Sequence, residues 1–126
     1  MAQTAAGHAV HQLLLSVRGL LEALRQWSEQ RMDETDVSDA YVHFGNNFNA
    51  TITEFRALRI DMDDLLIVPD ELRGHLEQCL AEEPSPRALD GFLPPVNMTM
   101  KKLLQGLADR QPLYRQVLPQ ARRMPK

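Results

Sequence analysis

The sequence VSDAYVHFGNNFNATITEFRAL, residues 37–58, decides the fold. It holds four of the seven aromatic residues of the chain, and these share one stripe with Val37, Ile52 and Leu58. Successive members of the stripe are three or four residues apart, which is the period of an amphipathic helix and not of a strand. Gly45 lies between two of the aromatic residues, where a missing Cβ would let a second helix approach. The segment therefore predicts a core helix with a close helix contact.

A second apolar stripe precedes this segment. From Val10 to Trp27 apolar residues recur every three or four positions, nearly as in a heptad seam, so that residues 4–30 are predicted to form the first helix. Such a seam closes either an intramolecular bundle or a homodimer, and we carry self-association through this helix as a prediction. The connection 31–34 is short and charged, which predicts an antiparallel return, with Thr35 as the N-cap of the second helix.

Prolines divide the second half of the chain into shorter predicted elements. Residues 59–68 mix apolar and acidic residues and predict a packed turn with one short helical turn. Pro69 suits the first position of a third helix, and Ser85 with Pro86 suits the start of a brief fourth one. The pair Pro94-Pro95 is predicted to end that brief helix and start the last one. Pro112 is predicted to kink or end the last helix, because proline removes a backbone donor.

The predicted fold class is therefore all-α, an antiparallel bundle of three main helices plus short connecting helices, with the homodimer left open. Residues 1–118 are predicted to form a single helical domain, and residues 119–126 a basic, Pro-containing tail or the start of a linker. The predicted core consists of apolar side chains on the helical stripes together with the central glycine: Leu14, Val17, Leu21, Leu24, Trp27, Tyr41, Phe44, Gly45, Phe48, Phe55, Leu72, Leu76, Leu103 and Leu107.

Charge is distributed unevenly along the chain. Residues 110–126 carry five basic residues and no acidic one, so that residues 1–109 have a net charge of −8 within a total of −3. An acidic body argues against nucleic-acid binding, which needs a broad basic face. Arg115, Arg122 and Arg123 are the predicted contacts to a protein partner or an anionic membrane, although a solvated linker explains them more simply. No apolar run reaches the length of a membrane span, so any membrane contact is expected to be peripheral.

The residue types that carry catalysis or bind metals do not form a known pattern. His8 and His11 share a helical face but have no third ligand, and the Asp61 region lacks the glycine and the bidentate Glu of a calcium loop. Cys79 follows His75 by four residues but falls on the apolar side of its helix, where a thiol is usually inert. As the single cysteine it forms no internal disulfide, which favours a reducing compartment. We predict no enzyme activity, no cofactor and no metal.

The order and spacing of several short segments between residues 10 and 115 carry a family resemblance. They are a Leu-rich helix ending at Trp27-Ser28, then Val37-Ser38-Asp39-Ala40-Tyr41-Val42 with Gly45 and Phe48, Val68-Pro69 with Leu72-Arg73 and Leu76-Glu77, Pro84-Ser85-Pro86 with Leu89, Leu93-Pro94, Leu103-Leu104-Gln105-Gly106-Leu107 and Gln111. Together they resemble the N-terminal domain of the fungal bud-site-selection protein six, or actin-interacting protein three, family. The departures, residues 97–100 and Pro112, bear on the geometry of the last helix.

The resemblance implies a non-catalytic domain of a cytoplasmic cell-polarity scaffold. In that family a C-terminal coiled-coil region binds actin monomers and the formin, whereas the N-terminal part is associated with the cell cortex, bud neck or growing tip and with microtubule capture. The implied partners are cytoskeletal or polarity proteins at the cortex. A different class stays open, because small all-α subunits of nuclear or kinetochore assemblies also combine Leu-rich helices with an absence of catalytic residues.

Overall fold

A computed structural model of the protein describes the backbone of residues 5–122 and the side chains of residues 5–114. The described residues form four α-helices and one 3₁₀ turn, with no strand: α1 (Ala5–Ser28), α2 (Glu34–Ala57), the 3₁₀ turn (Asp63–Leu65), α3 (Val68–Leu80) and α4 (Pro86–Arg122). The predicted all-α fold is confirmed. Helices α1 and α2 form the most extensive contact, and α4 packs against α3 and α1. No described helix is both long enough and apolar enough to cross a membrane.

A capping box begins α2, two residues before the predicted N-cap. The side chain of Asp33 accepts a hydrogen bond from the backbone N–H of Asp36 at 2.9 Å, and the Asp36 carboxylate accepts one from the N–H of Asp33 at 3.0 Å. The prediction of Thr35 as N-cap is wrong. An acidic side chain three residues beyond Asp33 can return the hydrogen bond, whereas the residue three beyond Thr35 is Ser38.

Both long helices of the first half end in the same way. Gln30 after α1 and Arg59 after α2 adopt left-handed backbone conformations, each with a φ of 62°. After α2, the N–H of Ile60 donates to the carbonyl of Phe55 at 2.9 Å, which is the long hydrogen bond of a Schellman motif. Both side chains of this pair are buried. The chain therefore reverses sharply without the glycine that usually occupies this position.

Helix α4 is one continuous element and not the two that the prolines predicted. It starts as expected, with the Ser85 side chain accepting from the N–H of Ala88 at 3.0 Å. It then continues through Pro94-Pro95 and Pro112 to Arg122, so the predicted break at Pro94-Pro95 and the predicted end at Pro112 are wrong, while a kink at Pro112 stays a prediction. Leu89 and Val96, on either side of the proline pair, are seven residues apart and both buried. A continuous helix places them on one face of the same core, which offsets the lost hydrogen bonds.

The core contains most of the residues predicted for it. Nine predicted side chains are buried, namely Val17, Leu24, Trp27, Phe44, Phe48, Phe55, Leu72, Leu76 and Leu103. Four residues are half-buried: Leu21, Tyr41, Gly45 and Leu107. Leu14 is exposed at 36%, because its side of α1 faces α4 across a gap and not α2. The prediction of Leu14 as a core residue is therefore wrong.

The close approach predicted at Gly45 occurs instead at Gly106. No atom lies within 4 Å of a Cβ built on Gly45. At Gly106 the same atom would lie 2.5 Å from Cδ2 of the buried Leu65, so this glycine admits the side chain of the 3₁₀ turn. The expectation at Gly45 was wrong because the aromatic neighbours of Gly45 point to the core while Gly45 itself faces partly outward.

Arg110 of α4 binds the segment between α2 and α3 through hydrogen bonds and an ion pair. Its Nε donates to the carbonyl of Asp61 at 2.9 Å, its Nη1 to the carbonyl of Gly106 at 2.9 Å, and its Nη2 pairs with the carboxylate of Asp64. The Arg110 side chain is only 11% exposed. This arginine belongs to the basic sequence run from residue 110 onward, but its charge is used inside the fold.

Candidate interaction surface

An apolar groove runs between α1 and α4. Two adjoining hollows of about 290 and 390 Å³ form it, and they share Leu104 and Ala108 of α4. Helix α1 supplies the other wall, from Gly7 at one end to Leu21 at the other. The groove exists because α1 turns its most apolar face to α2, which leaves its second apolar stripe only loosely covered by α4. We call this surface the α1–α4 groove.

Large apolar side chains of the α1–α4 groove remain open to solvent. Leu104 is 46% exposed and Leu14 is 36% exposed, and they line the same hollow, that of about 290 Å³, from α4 and from α1. At one end the rings of Phe55 and Tyr114 stack with centroids 5.8 Å apart and planes inclined by 1°. Apolar side chains that are exposed side by side in a groove offer a surface on which a partner can bury its own apolar residues.

Two cations border the α1–α4 groove. Lys101 lines it from α4, and Arg18 lies on the same stripe of α1 as Leu14, four residues before it, and Leu21, three residues after it. In the part of the chain whose side chains are described, neither cation forms a hydrogen bond or an ion pair. Each border of the groove therefore carries one cation, and on the α4 side the acidic Asp109, which accepts a hydrogen bond from the lining residue Gln105 at 2.9 Å, follows two turns after Lys101.

The acidic residue nearest to this border along α1 is already paired. Glu22 accepts hydrogen bonds from Arg25 at 2.5 Å and from Gln26 at 2.7 Å. The hydrogen bond from Arg25 is the main cause that lowers the pKa of Glu22 to about 2, with Gln26 as the second cause. Glu22 therefore pairs with Arg25, and among the described side chains it forms no ion pair with Arg18.

Another hollow, of about 380 Å³, lies between α2 and α3. Val37 and Leu76 form part of its wall, and the exposed Val42 lies beside them. The hydroxyl of Tyr41 closes one side by donating to the carbonyl of Pro69 at 2.8 Å. Its charged lining residues, Arg73 and Glu77, have opposite signs, so this hollow lacks the one-sided charge of the α1–α4 groove.

The side chains considered for catalysis and metal binding do not converge. Cys79 is buried, and burial is the main cause that raises the pKa of its thiol to about 11, with the charge of Glu82 adding to it. Among the described side chains Cys79 makes no hydrogen bond to His75, the base that the sequence spacing suggested. No group of three or more His, Cys, Asp or Glu residues in the described part could hold a metal ion.

The predicted basic contacts lie beyond the described side chains. The backbone of Arg115 and Arg122 belongs to α4, but their side chains are outside the described residues, as is all of Arg123. Their role as contacts to a partner or membrane stays a prediction, as does the domain boundary after residue 118. Self-association through α1 also stays a prediction. The seam that suggested it packs largely inside the bundle, where Leu20, Leu24 and Trp27 are buried.

Sequence reasoning missed the residues that border the groove. Arg18 and Lys101 look like ordinary solvent-facing positions of amphipathic helices when each helix is considered alone, whereas Leu104 reads as part of the apolar stripe of the last helix, and the structure leaves it 46% exposed. One signal was present: Leu104 follows directly after the buried Leu103. An apolar residue next to a core position, on a helix that already has a full core stripe, is the pattern to look for.

The family is shown by the sequence comparison. The Aip3p/Bud6 N-terminal domain family matches residues 7–115, so this chain belongs to that family. It is a family of scaffold-type domains connected with bud-site selection and cell polarity, and not a known enzyme family. Neither a curated protein nor a solved structure matches the chain.

Proposed function

We propose that this chain is the localisation and interaction domain of a cell-polarity scaffold, and that it directs the scaffold to the cell cortex, bud neck or growing tip. The observation that carries the proposal is its membership of the Aip3p/Bud6 N-terminal domain family over residues 7–115. The exposed apolar groove supports it, because a targeting domain needs a surface for a protein partner. Capture of microtubules at the cortex is a further part of the same proposal.

The proposal divides the labour between this domain and the rest of such a scaffold. Actin-monomer binding and formin activation belong to the C-terminal region, as the family resemblance implies. The net charge of −8 over residues 1–109 supports this division, because an acidic body offers no broad positive surface to attract an acidic actin partner. The isolated domain should therefore reach its cellular site without accelerating actin assembly.

Two measurements on the purified and the tagged chain test the two halves. In a pyrene-actin assay with a formin fragment, we expect the same assembly rate with and without the domain. In cells, we expect the fluorescently tagged domain at the cortex, with the fluorescent tag alone as the control. Dose-dependent acceleration of assembly would overturn the division of labour. Diffuse fluorescence would overturn the targeting role, and nuclear foci would favour a subunit of a nuclear or kinetochore assembly instead.

A further inference from the structure

We propose that the α1–α4 groove binds one acidic amphipathic helix of a protein partner. The inference rests on the proposed function in one respect, namely that a targeting domain acts through a protein partner. It adds the surface and the chemistry of recognition: an apolar floor with Leu104 at its centre, and Arg18 and Lys101 on opposite borders.

The length of the groove matches a short helix. Along α1 it extends from Gly7 to Leu21, which corresponds to about 21 Å at a rise of 1.5 Å per residue. A partner helix of about 14 residues, or four turns, covers this distance. Its apolar residues at positions i, i+3 or i+4, and i+7 would lie on the floor, as in other helix-in-groove complexes.

The two cations on the borders of the groove determine the sign of the charge that the partner helix should carry. A helix whose apolar stripe lies on the floor turns its flanking positions toward Arg18 on one side and Lys101 on the other. Acidic residues at those positions meet cations that have no ion-pair partner among the described side chains. Such border pairs add mainly to specificity and to the rate of association, while the apolar floor supplies most of the affinity.

A second copy of this chain fits the groove less well than an acidic helix. In a two-fold dimer the same surface appears on both subunits, so Arg18 and Lys101 of one copy would approach those of the other. Two acidic bodies would also repel each other. An anionic membrane is also disfavoured at this surface, because only two cations border the groove, which is few for a charged lipid surface.

The test uses a synthetic peptide and the purified chain. The probe is a fluorescein-labelled helix of about 14 residues with Leu on one stripe and Glu on both flanks, together with a twin that has Lys in place of every Glu. We expect saturable binding of the Glu peptide by fluorescence anisotropy, weakened by added salt, and no comparable binding of the Lys peptide.

Variants assign the binding to the groove. Leu104→Glu in the floor, and the double variant Arg18→Glu with Lys101→Glu on the borders, should each lower the affinity by about tenfold or more. Matched controls are Val42→Glu, an exposed apolar position on α2, and Arg73→Glu, an exposed cation on α3, which should change the affinity by less than about twofold. All five positions are exposed, and a thermal melt of each variant verifies that it is folded.

Three outcomes would overturn the inference. They are the absence of saturable binding by the Glu peptide, equal affinities in the groove and control variants, and a dimer in sedimentation equilibrium that Leu104→Glu dissociates. The last result would assign the groove to a second copy. If these variants fail while the tagged domain still reaches the cortex, the groove assignment is wrong and the proposed function stands. If the peptide binds as expected and the tagged domain is diffuse in cells, the groove assignment stands and the proposed targeting function is wrong.

Discussion

Helices α2 and α4 reach their lengths for different reasons. Helix α2 is bounded by local signals at both ends, the capping box of Asp33 and Asp36 and the Schellman turn at Arg59. Helix α4 has a local start signal at Ser85 but contains four prolines after its first turn. Local signals alone would have ended it at the first of these. Contacts with distant parts of the chain keep it continuous.

Those contacts are spread along α4. Lys102 pairs with Glu71 of α3 at 2.9 Å, Arg110 is bound to the segment after α2, and Tyr114 stacks on Phe55. Val96 and Leu103 are almost completely buried in the shared core. The comparison shows that a helix with good caps can be located from its own residues, whereas a helix with poor local preference forms where its packing stabilises it.

The largest expected effect tests the core that α2 and α4 share. Phe44→Ala and Phe48→Ala should each lower the free energy of unfolding by roughly 3–5 kcal/mol, because truncation of a buried aromatic ring leaves a cavity. This is a large part of the about 5–15 kcal/mol that stabilises a typical domain. Thermal melts measure it, with the exposed Val42→Ala as the control. A melting temperature within about one degree of the parent for either Phe variant would refute the placement of the aromatic stripe.

Replacing one glycine in each helix by alanine should change the free energy of unfolding in opposite directions. Gly106→Ala in α4 should destabilise by about 1–3 kcal/mol, because its Cβ would overlap the buried side chain of Leu65. Gly45→Ala in α2 should stabilise by about 0.5–1 kcal/mol, because the site has room and alanine favours the helix. Urea unfolding gives both values. Effects of equal sign would contradict the packing described at Gly106.

Pro94→Ala tests whether the proline acts against α4. Alanine restores a backbone donor in the helix interior, which should stabilise the protein by up to about 3 kcal/mol. The greater conformational freedom of the unfolded chain without the proline offsets up to about 1 kcal/mol of this. We expect a net stabilisation of about 1–2 kcal/mol in urea unfolding. The control is Pro69→Ala in the first turn of α3, where proline is well tolerated and the change should bring a small loss. A destabilised Pro94 variant would show that the packing of α4 depends on the proline.

The smallest effect concerns the end of α2. Arg59→Gly should stabilise the domain by about 1 kcal/mol, because glycine adopts the left-handed conformation without the steric cost that an arginine side chain has. The matched control is Ala50→Gly, at an exposed position in the middle of α2, which should cost about 1 kcal/mol. Differential scanning calorimetry on both variants measures the shifts. If Arg59→Gly lost stability instead, the arginine side chain would stabilise the fold by more than its left-handed backbone conformation costs.

The elements with a strong period could be predicted from the sequence. The aromatic stripe of α2, the inward positions of α3 at Leu72 and Leu76, and the start of α4 at Ser85 all agree with the structure. The N-cap of α2 was misplaced, because several polar residues in a row can cap a helix, and the capping-box spacing of Asp33 and Asp36 was overlooked in favour of Thr35. The groove and its border cations were not predicted, because they depend on which faces of α1 and α4 remain uncovered.

The sequence by itself determined the all-α class, the antiparallel start of the bundle and the family, because periodicity, caps and the order of short segments are local properties of the chain. The tertiary structure alone decided that α4 continues through Pro94-Pro95, that Gly106 and not Gly45 admits a neighbour, and that Leu14 faces a groove. Each of these depends on the relative positions of two helices. Such positions follow from the packing of the whole core, and no single segment of the sequence contains the information that fixes them.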